Sequence, residues 1–343
     1  MLVETDVPLS GLTTLRVGGP ARRLVTAHTD DEVISVVRAA DEAGEALLVL
    51  GGGSNVVVDD AGFDGTVLRI ATRGVAVAPL AEHSLQFAAG VDWDHAVALA
   101  VDEGYAGIEA LSGIPGTVGA APIQNIGAYG QDVAQTIDWV RALDRESGDV
   151  VLLDNADCRF TYRHSVFKGA ERYVVLAVAF RLAHSSLGSP IHYAALAGKL
   201  GVEPGSVAPI GQVRQAVLEL RRGKGMVLDP TDHDTWSAGS FFTNPVLPAD
   251  EAARLVPTGA PRWPEGPDQV KTSAAWLIER AGFSRGYGQG PAGLSTKHPL
   301  ALTNRGGATT ADLLDLAREV RAGVHARFGI TLVNEPVLVG VEL

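Results

Sequence analysis

The chain has 343 residues, 46% of them hydrophobic and 20% charged, enough for two or three domains with buried cores. A net charge of -12 with no basic tail or stripe excludes non-specific nucleic-acid binding but leaves room for an anionic small substrate at a local cationic cluster. No apolar run reaches the roughly 18 residues of a membrane span, and Met1-Leu-Val-Glu-Thr-Asp6 lacks basic and apolar signal regions, so a cytoplasmic protein without membrane or obligate protein partners is expected.

Thr29 or Asp30 caps a helix carrying Val33, Val36, Val37 and Ala40 at helical spacing, with Gly44 as its stop. Ala46 to Leu50 then reads as a buried strand that ends in Gly51-Gly-Gly-Ser-Asn55. Because the β-branched run Val56 to Val58 follows, with Thr66 to Ile70 as another strand, this loop does not open into a helix as a Rossmann dinucleotide loop does. Short alternating segments between Gly74 and Gly90 suggest hairpin strands, and Asp92 caps a helix from Trp93 to Glu103.

A glycine-rich stretch, Gly107 to Gly130, precedes strands at Ile137 to Leu143, Val150 to Leu153 and Tyr173 to Leu182, with a turn at Glu146 to Asp149. Cys158, the sole cysteine, rules out an intrachain disulfide and cysteine-type zinc sites; it reads as a small apolar residue beside a strand from Asp157 to Tyr162. The polar stretch Ala183 to Pro209 breaks the pattern before a helix at Val213 to Arg222, and Pro245 to Pro267 is proline-rich with little periodicity. Helices at Ser273 to Ala281 and from Thr309 or Thr310 to Gly329 lead to a last strand, Thr331 to Val341. The organisation is α+β. The histidines show no metal-ligand spacing, so no metal is expected.

Two loops carry most of the chemistry. Gly51, Gly52 and Gly53 offer unhindered backbone N–H groups, with side-chain donors from Ser54 and Asn55, an arrangement suited to a diphosphate and equally to a tight turn. Ile114-Pro-Gly-Thr-Val-Gly119 and Gln124-Asn-Ile-Gly-Ala-Tyr-Gly130 place glycines among apolar residues, which lets backbone approach a planar or phosphorylated ligand. Arg221, Arg222 and Lys224 concentrate positive charge at a helix end, where cations also favour the dipole.

Thr14-Leu-Arg-Val-Gly-Gly19, Gly51 to Asn55, Ser112-Gly-Ile-Pro-Gly-Thr-Val-Gly119, Tyr162-Arg-His164, Gly239-Ser-Phe-Phe-Thr-Asn-Pro245 and Asn334-Glu-Pro336 occur in that order along nearly the whole chain. The ordered set resembles the UDP-N-acetylenolpyruvoylglucosamine reductase family. The resemblance implies an FAD-binding fold of the vanillyl-alcohol-oxidase (PCMH) type, with FAD subdomains over 1–74 and 75–224 and an α+β substrate-binding domain over 225–332. Residues 333–343 would return to the first subdomain. It also implies non-covalent FAD, since the glycine loops offer no histidine or cysteine for a covalent link, and NADPH as co-substrate.

On that resemblance, Arg16, Gly51, Gly52, Gly53, Ser54, Asn55, Ile114, Pro115, Gly116, Thr117, Gly119 and Gly127 lie along FAD. Hydride passes from NADPH to the flavin and on to C3 of the enolpyruvyl group, building charge toward C2 and the carboxylate. Arg163 resembles the arginine that stabilises the enolate, Ser240 the proton donor to C2, and Glu335 the carboxyl that supports protonation. Without the family, these three would read as a surface arginine, a turn serine and an exposed strand residue. For the sugar nucleotide, Arg221, Lys224 and Asn244 match the nucleotide side, Tyr193 a tyrosine carried on a loop over the substrate, and Lys297 or His298 stands where a glutamine is common. Two other readings use the same loops: another FAD-dependent oxidase or dehydrogenase of this fold, and a nucleotide-binding module without chemistry.

Overall fold

Val33, Val36, Val37 and Ala40 fall on one face of a helix, and all four are buried in α1 (Asp30–Ala43). Thr29 caps it by accepting the Glu32 N–H, and Gly44 ends it at φ 61°, a left-handed conformation that glycine adopts without a Cβ penalty. The computed structural model describes residues 1–77 and 84–343, so the part of the expected Gly74 to Gly90 hairpin at 78–83 lies outside the described residues. Chain contacts divide it into two units. The first comprises Met1–Val7, Ala21–Gly53 and Asp64–Val227, and the second Pro8–Pro20, Ser54–Phe63 and Leu228–Leu343.

In the first unit a four-stranded sheet runs in the order Leu2–Pro8, Pro20–Ala27, Phe63–Ile70, Leu47–Leu50, its last two strands parallel with Leu47 opposite Thr66. A five-stranded antiparallel sheet is ordered Val150–Asp154, Ile137–Asp144, Tyr173–Arg181, Ser84–Ala88, Val75–Val77. The central strand is buried without alternation from Val174 to Phe180, as expected of a continuous apolar run covered on both faces. Helix α2 (Trp93–Asp102), capped by Asp92, sends Trp93 into this core. The Trp93 ring meets Phe180 edge-on at 5.7 Å, a contact worth about 0.5–1.5 kcal/mol beyond burial, and its indole N–H reaches the Leu111 carbonyl at 3.0 Å. Two helices, α3 (Ala194–Leu200) and α4 (Ile210–Gly223), complete the unit and share a smaller core of Ile191, Leu196, Val213 and Val217.

The second unit is built around α5 (Ala249–Leu255), α6 (Ala274–Arg280) and α7 (Thr310–Phe328). Thr309 and Asp312 form a capping box on α7, and Gly329 ends it at φ 69°. The Asp60 carboxylate accepts the Thr310 and Ala311 N–H groups at 2.8 and 3.0 Å, which fixes the helix start to the strand Val56–Val58. The stretch Pro245 to Pro267, expected to lack periodicity, holds α5 and the two edge strands Val246–Pro248 and Arg262–Pro264 of a three-stranded sheet whose central strand is Gln269–Thr272.

Three expected strands are corrected. Ala46 to Leu50, expected to be buried, is the strand Leu47–Leu50 with only Leu50 buried, because it lies at the edge of its sheet. Asp157 to Tyr162 is a turn in which the Asp154 and Asp157 side chains accept each other's backbone N–H groups, the competition by which short polar side chains displace strand pairing. Arg159 there has φ 48°. Cys158 is fully buried, and burial followed by the nearby Asp157 and Asp154 pushes its thiol up to about 12, leaving almost no thiolate at neutral pH. The final strand covers only Val337–Val339, paired in parallel with Val56–Val58, because Pro336 has no N–H to give a ladder. Residues before it are held by single contacts, such as the Asn334 bridge to Phe242.

Candidate active site

The two glycine loops of the first unit pack backbone against backbone. A Cβ on Gly52 would sit 2.7 Å from the Gly116 Cα, one on Gly51 2.6 Å from the Thr117 Oγ1, and one on Gly119 2.5 Å from the Ala89 Cβ. Gly53 at φ 61° and Gly116 at φ 125° occupy backbone conformations that other residues rarely adopt. The second loop is laced to the start of α2 and the strand before it: the Trp93 N–H reaches the Gly116 carbonyl at 3.0 Å, and the Val118 and Gly119 N–H groups reach Val91 and Ala89 at 2.9 and 2.8 Å. Among the described residues, the Gly52 and Gly53 N–H groups donate to no backbone carbonyl. Close backbone approach and uncommitted amides are what a dinucleotide's diphosphate needs, so these residues fit a bound flavin dinucleotide.

Arg163 sits in a tight turn closed by the Thr161–His164 bridge, at φ 54°. Its Nη1 donates to the Asn125 carbonyl at 3.2 Å and its Nη2 to the Gly127 carbonyl at 2.8 Å, so the fork is aimed by the Gln124 to Gly130 segment. Asp132 lies alongside; burial raises its carboxyl while Arg163 pulls it back.

At the end of α4, Arg221 donates to the Met226 carbonyl at 2.9 Å. Burial lowers its guanidinium to about 10, against the pull of Tyr129 and Asp94, and like-charged Arg163 adds to the lowering. The Lys224 ammonium, lowered by burial and then by Arg221, lies 5.8 Å from the Tyr129 ring centre. Tyr193 occupies the position just before α3, 43% exposed, with its ring edge-on to Tyr129 at 5.3 Å. The structure therefore gathers Tyr193, Arg221 and Lys224 around Tyr129. Tyr129 lies within the Gln124 to Gly130 segment, whose glycines mask any signal of its role in the sequence; its φ of 52° between Gly127 and Gly130 marks it as a residue held in an unusual conformation.

In the second unit, Ser240 follows Gly239 at φ 72° and precedes Phe241 and Phe242, both buried at 1% exposure with rings 5.2 Å apart. The Glu335 N–H donates to the Phe241 carbonyl at 2.8 Å, and Asn55 donates from Nδ2 to the Glu335 carbonyl at 3.3 Å. Ser240, Glu335 and Asn55 are thereby brought into one neighbourhood. Arg16, at φ 57°, faces the Trp236 ring at 5.8 Å, and Asn304 holds its carbonyl at 3.2 Å.

The remaining candidates make contacts within the second unit. The Asn244 Oδ1 accepts the Ala274 N–H at 3.0 Å at the start of α6. Lys297 pairs with Asp232, which raises its ammonium, and the His298 Nδ1 accepts the Leu300 N–H at 3.1 Å. Among the described residues no group of three or more His, Cys, Asp or Glu could hold a metal ion.

Residues 21–154 match the FAD binding domain family, and residues 229–339 match the UDP-N-acetylenolpyruvoylglucosamine reductase C-terminal domain. The UDP-N-acetylenolpyruvoylglucosamine reductase of Streptomyces coelicolor is 60% identical over 98% of this chain and 90% of its own length. The chain belongs to the UDP-N-acetylenolpyruvoylglucosamine reductase family. The family's Thermobifida fusca reductase is 57% identical over 98% of both chains. A crystal structure of UDP-N-acetylenolpyruvylglucosamine reductase from Thermus caldophilus superimposes with a TM-score of 0.68 at 25% identity, covering 99% of each chain. The expected α+β FAD-binding fold is thus the fold of this reductase family.

Gly52→Ala is expected to weaken FAD binding about tenfold or more, since relieving its overlap with Gly116 costs roughly 1–3 kcal/mol. Titration of flavin fluorescence reads this, and an unchanged affinity would remove the Gly52 contact from the cofactor cradle.

Proposed function

We propose that the chain reduces UDP-N-acetylglucosamine enolpyruvate to UDP-N-acetylmuramate with NADPH, in the cytoplasmic supply of peptidoglycan precursor. The observation that carries this reading is the 60% identity over 98% of the chain to the Streptomyces coelicolor reductase. No helix among the described residues is long and apolar enough to cross a membrane, in keeping with a sugar-nucleotide substrate dissolved in water. The assignment of FAD subdomains to 1–74 and 75–224 and of a substrate domain to 225–332 belongs to the same proposal.

FAD, when bound, supplies the carrier through which reducing equivalents from NADPH reach C3 of the enolpyruvyl group. Gly51 to Asn55 and Ile114 to Gly119 would hold its diphosphate and ring, with Arg16 and Gly127 alongside. The chain's own residues then manage charge and protons. Arg163 presents a planar fork to the substrate carboxylate and holds the enolate charge that grows there, and Ser240 delivers the proton to C2. Glu335 supports that delivery. Arg221 and Lys224, with Tyr193 and Asn244, take the diphosphate and uridine, and Lys297 or His298 the remaining polar contact of the nucleotide.

An anaerobic two-step absorbance experiment tests this. NADPH is expected to bleach the flavin of the purified protein, and UDP-N-acetylglucosamine enolpyruvate to restore the yellow. Bleaching without recovery would point to another electron acceptor, and protein unable to bind added FAD would overturn the reading.

A further inference from the structure

Asp94, in the first turn of α2, belongs to none of the motifs above. Its Oδ1 accepts the Gly113 N–H at 2.6 Å, and its two oxygens accept Arg214 Nη1 and Nη2 at 2.6 and 2.9 Å. Gly113 opens the Ser112 to Gly119 loop, and Arg214 is on α4, seven residues before Arg221. Seven residues are about two turns, so Arg214, Leu218 and Arg221 share one face of α4.

That face is pressed on the same glycine. A Cβ on Gly113, which has φ 72°, would stand 2.8 Å from Leu218 Cδ2, 3.1 Å from Val227 Cγ2 and 3.5 Å from Arg221 Cδ. One carboxylate therefore locks the loop to the helix face that carries Arg221 and leads to Lys224. Burial opposes ionisation of Asp94, but Arg214, the Gly113 N–H and Arg221 outweigh it and hold the carboxyl below its usual range. The lock stays charged at neutral pH, and its negative charge favours the charged form of Arg221, the guanidinium that repels Lys224. A bidentate guanidinium–carboxylate pair also fixes direction, which a single contact would not.

We infer that Asp94 is a positioning residue, setting the Arg221 and Lys224 cations against the Ser112 to Gly119 loop so that a bound diphosphate is held in register with the cofactor. The inference rests on the proposed function for the roles of loop and cations. Asp94→Asn in FAD-loaded protein is expected to weaken UDP binding about tenfold by calorimetry. It should raise the KM for the enolpyruvyl sugar to the same extent, with kcat and flavin reduction by NADPH within about twofold. Arg214→Lys, which keeps the charge and loses the fork, should weaken UDP binding about threefold, and the double variant should be no worse than Asp94→Asn alone.

UDP affinity within twofold of the unsubstituted protein in both single variants would overturn the inference. So would loss of bound FAD in step with UDP affinity, which marks a scaffold role. If Asp94→Asn does not fold, Arg214→Lys decides by the same readings. UDP binding needs no turnover, so an unsubstituted protein that binds UDP yet never turns over the enolpyruvyl sugar would refute the assigned activity and leave these binding results to judge Asp94.

Discussion

Ser240→Ala is expected to lower turnover of UDP-N-acetylglucosamine enolpyruvate by roughly a hundredfold to ten-thousandfold, the usual worth of a positioned proton donor. FAD affinity and the rate of flavin reduction by NADPH should stay within about twofold, because in the proposed role the hydroxyl would act only after reducing equivalents reach the substrate. The backbone around Ser240 is set by larger features than the hydroxyl: the left-handed Gly239, the buried Phe241 and Phe242 rings, and the Glu335 N–H on the Phe241 carbonyl. Removing one oxygen from a half-buried side chain leaves these intact, so the variant should fold with its neighbourhood unchanged. Stopped-flow absorbance separates the two half-reactions. An equal slowing of both would end the assignment of Ser240 as proton donor.

Arg163→Lys is expected to slow the oxidative half-reaction by about a hundredfold to a thousandfold, the range found when one preorganised donor to developing charge is removed. The charge survives in lysine. What is lost is the fork, aimed through its bonds to the Asn125 and Gly127 carbonyls and suited to bridging a carboxylate. UDP, which carries no enolpyruvyl carboxylate, should bind the variant as it binds the unsubstituted protein. A Lys variant within about threefold of full turnover would show that bulk positive charge suffices and that the aimed fork has no part in the reaction.

Local signals carried much of this structure. Helices α1, α2 and α7 could be placed from the sequence because each has a cap residue, a buried face at helical spacing and, for α1 and α7, a glycine stop in the left-handed region. The central strand was legible as an unbroken apolar run. Turn chemistry was harder: around Cys158 the apolar and aromatic residues suggested a strand, but the aspartates' bonds to nearby backbone decided otherwise. The short strands near Pro248 and Pro264 were hidden by their prolines, which blur periodicity and are compatible with the edge strands they occupy.

The site divides the same way. Glycine loops announce themselves because only glycine permits the approach of Gly52 to Gly116. Asp94 gave no such signal, since an aspartate in a helix's first turn is ordinary dipole chemistry until the fold brings Arg214 and Gly113 to it. Lys297, set out as a candidate for the nucleotide, is paired to Asp232, a partner 65 residues away that no local pattern foretold.

The pairing of Val337–Val339 with Val56–Val58 also orders events during synthesis. The first unit's last residue is Val227, so the ribosome has delivered every piece of it while more than a hundred residues are still to come. The second unit is different, because its early segments Pro8–Pro20 and Ser54–Phe63 wait for residues after Val227, among them the strand Val337–Val339 that pairs with Val56–Val58. Asn55 meets the Glu335 carbonyl across 280 residues of chain, and loops of that span close slowly. A nascent chain arrested before Val337 would hold a finished first unit and a second without its closing strand, with the apolar edge at Val56–Val58 uncovered for chaperones or proteases to find.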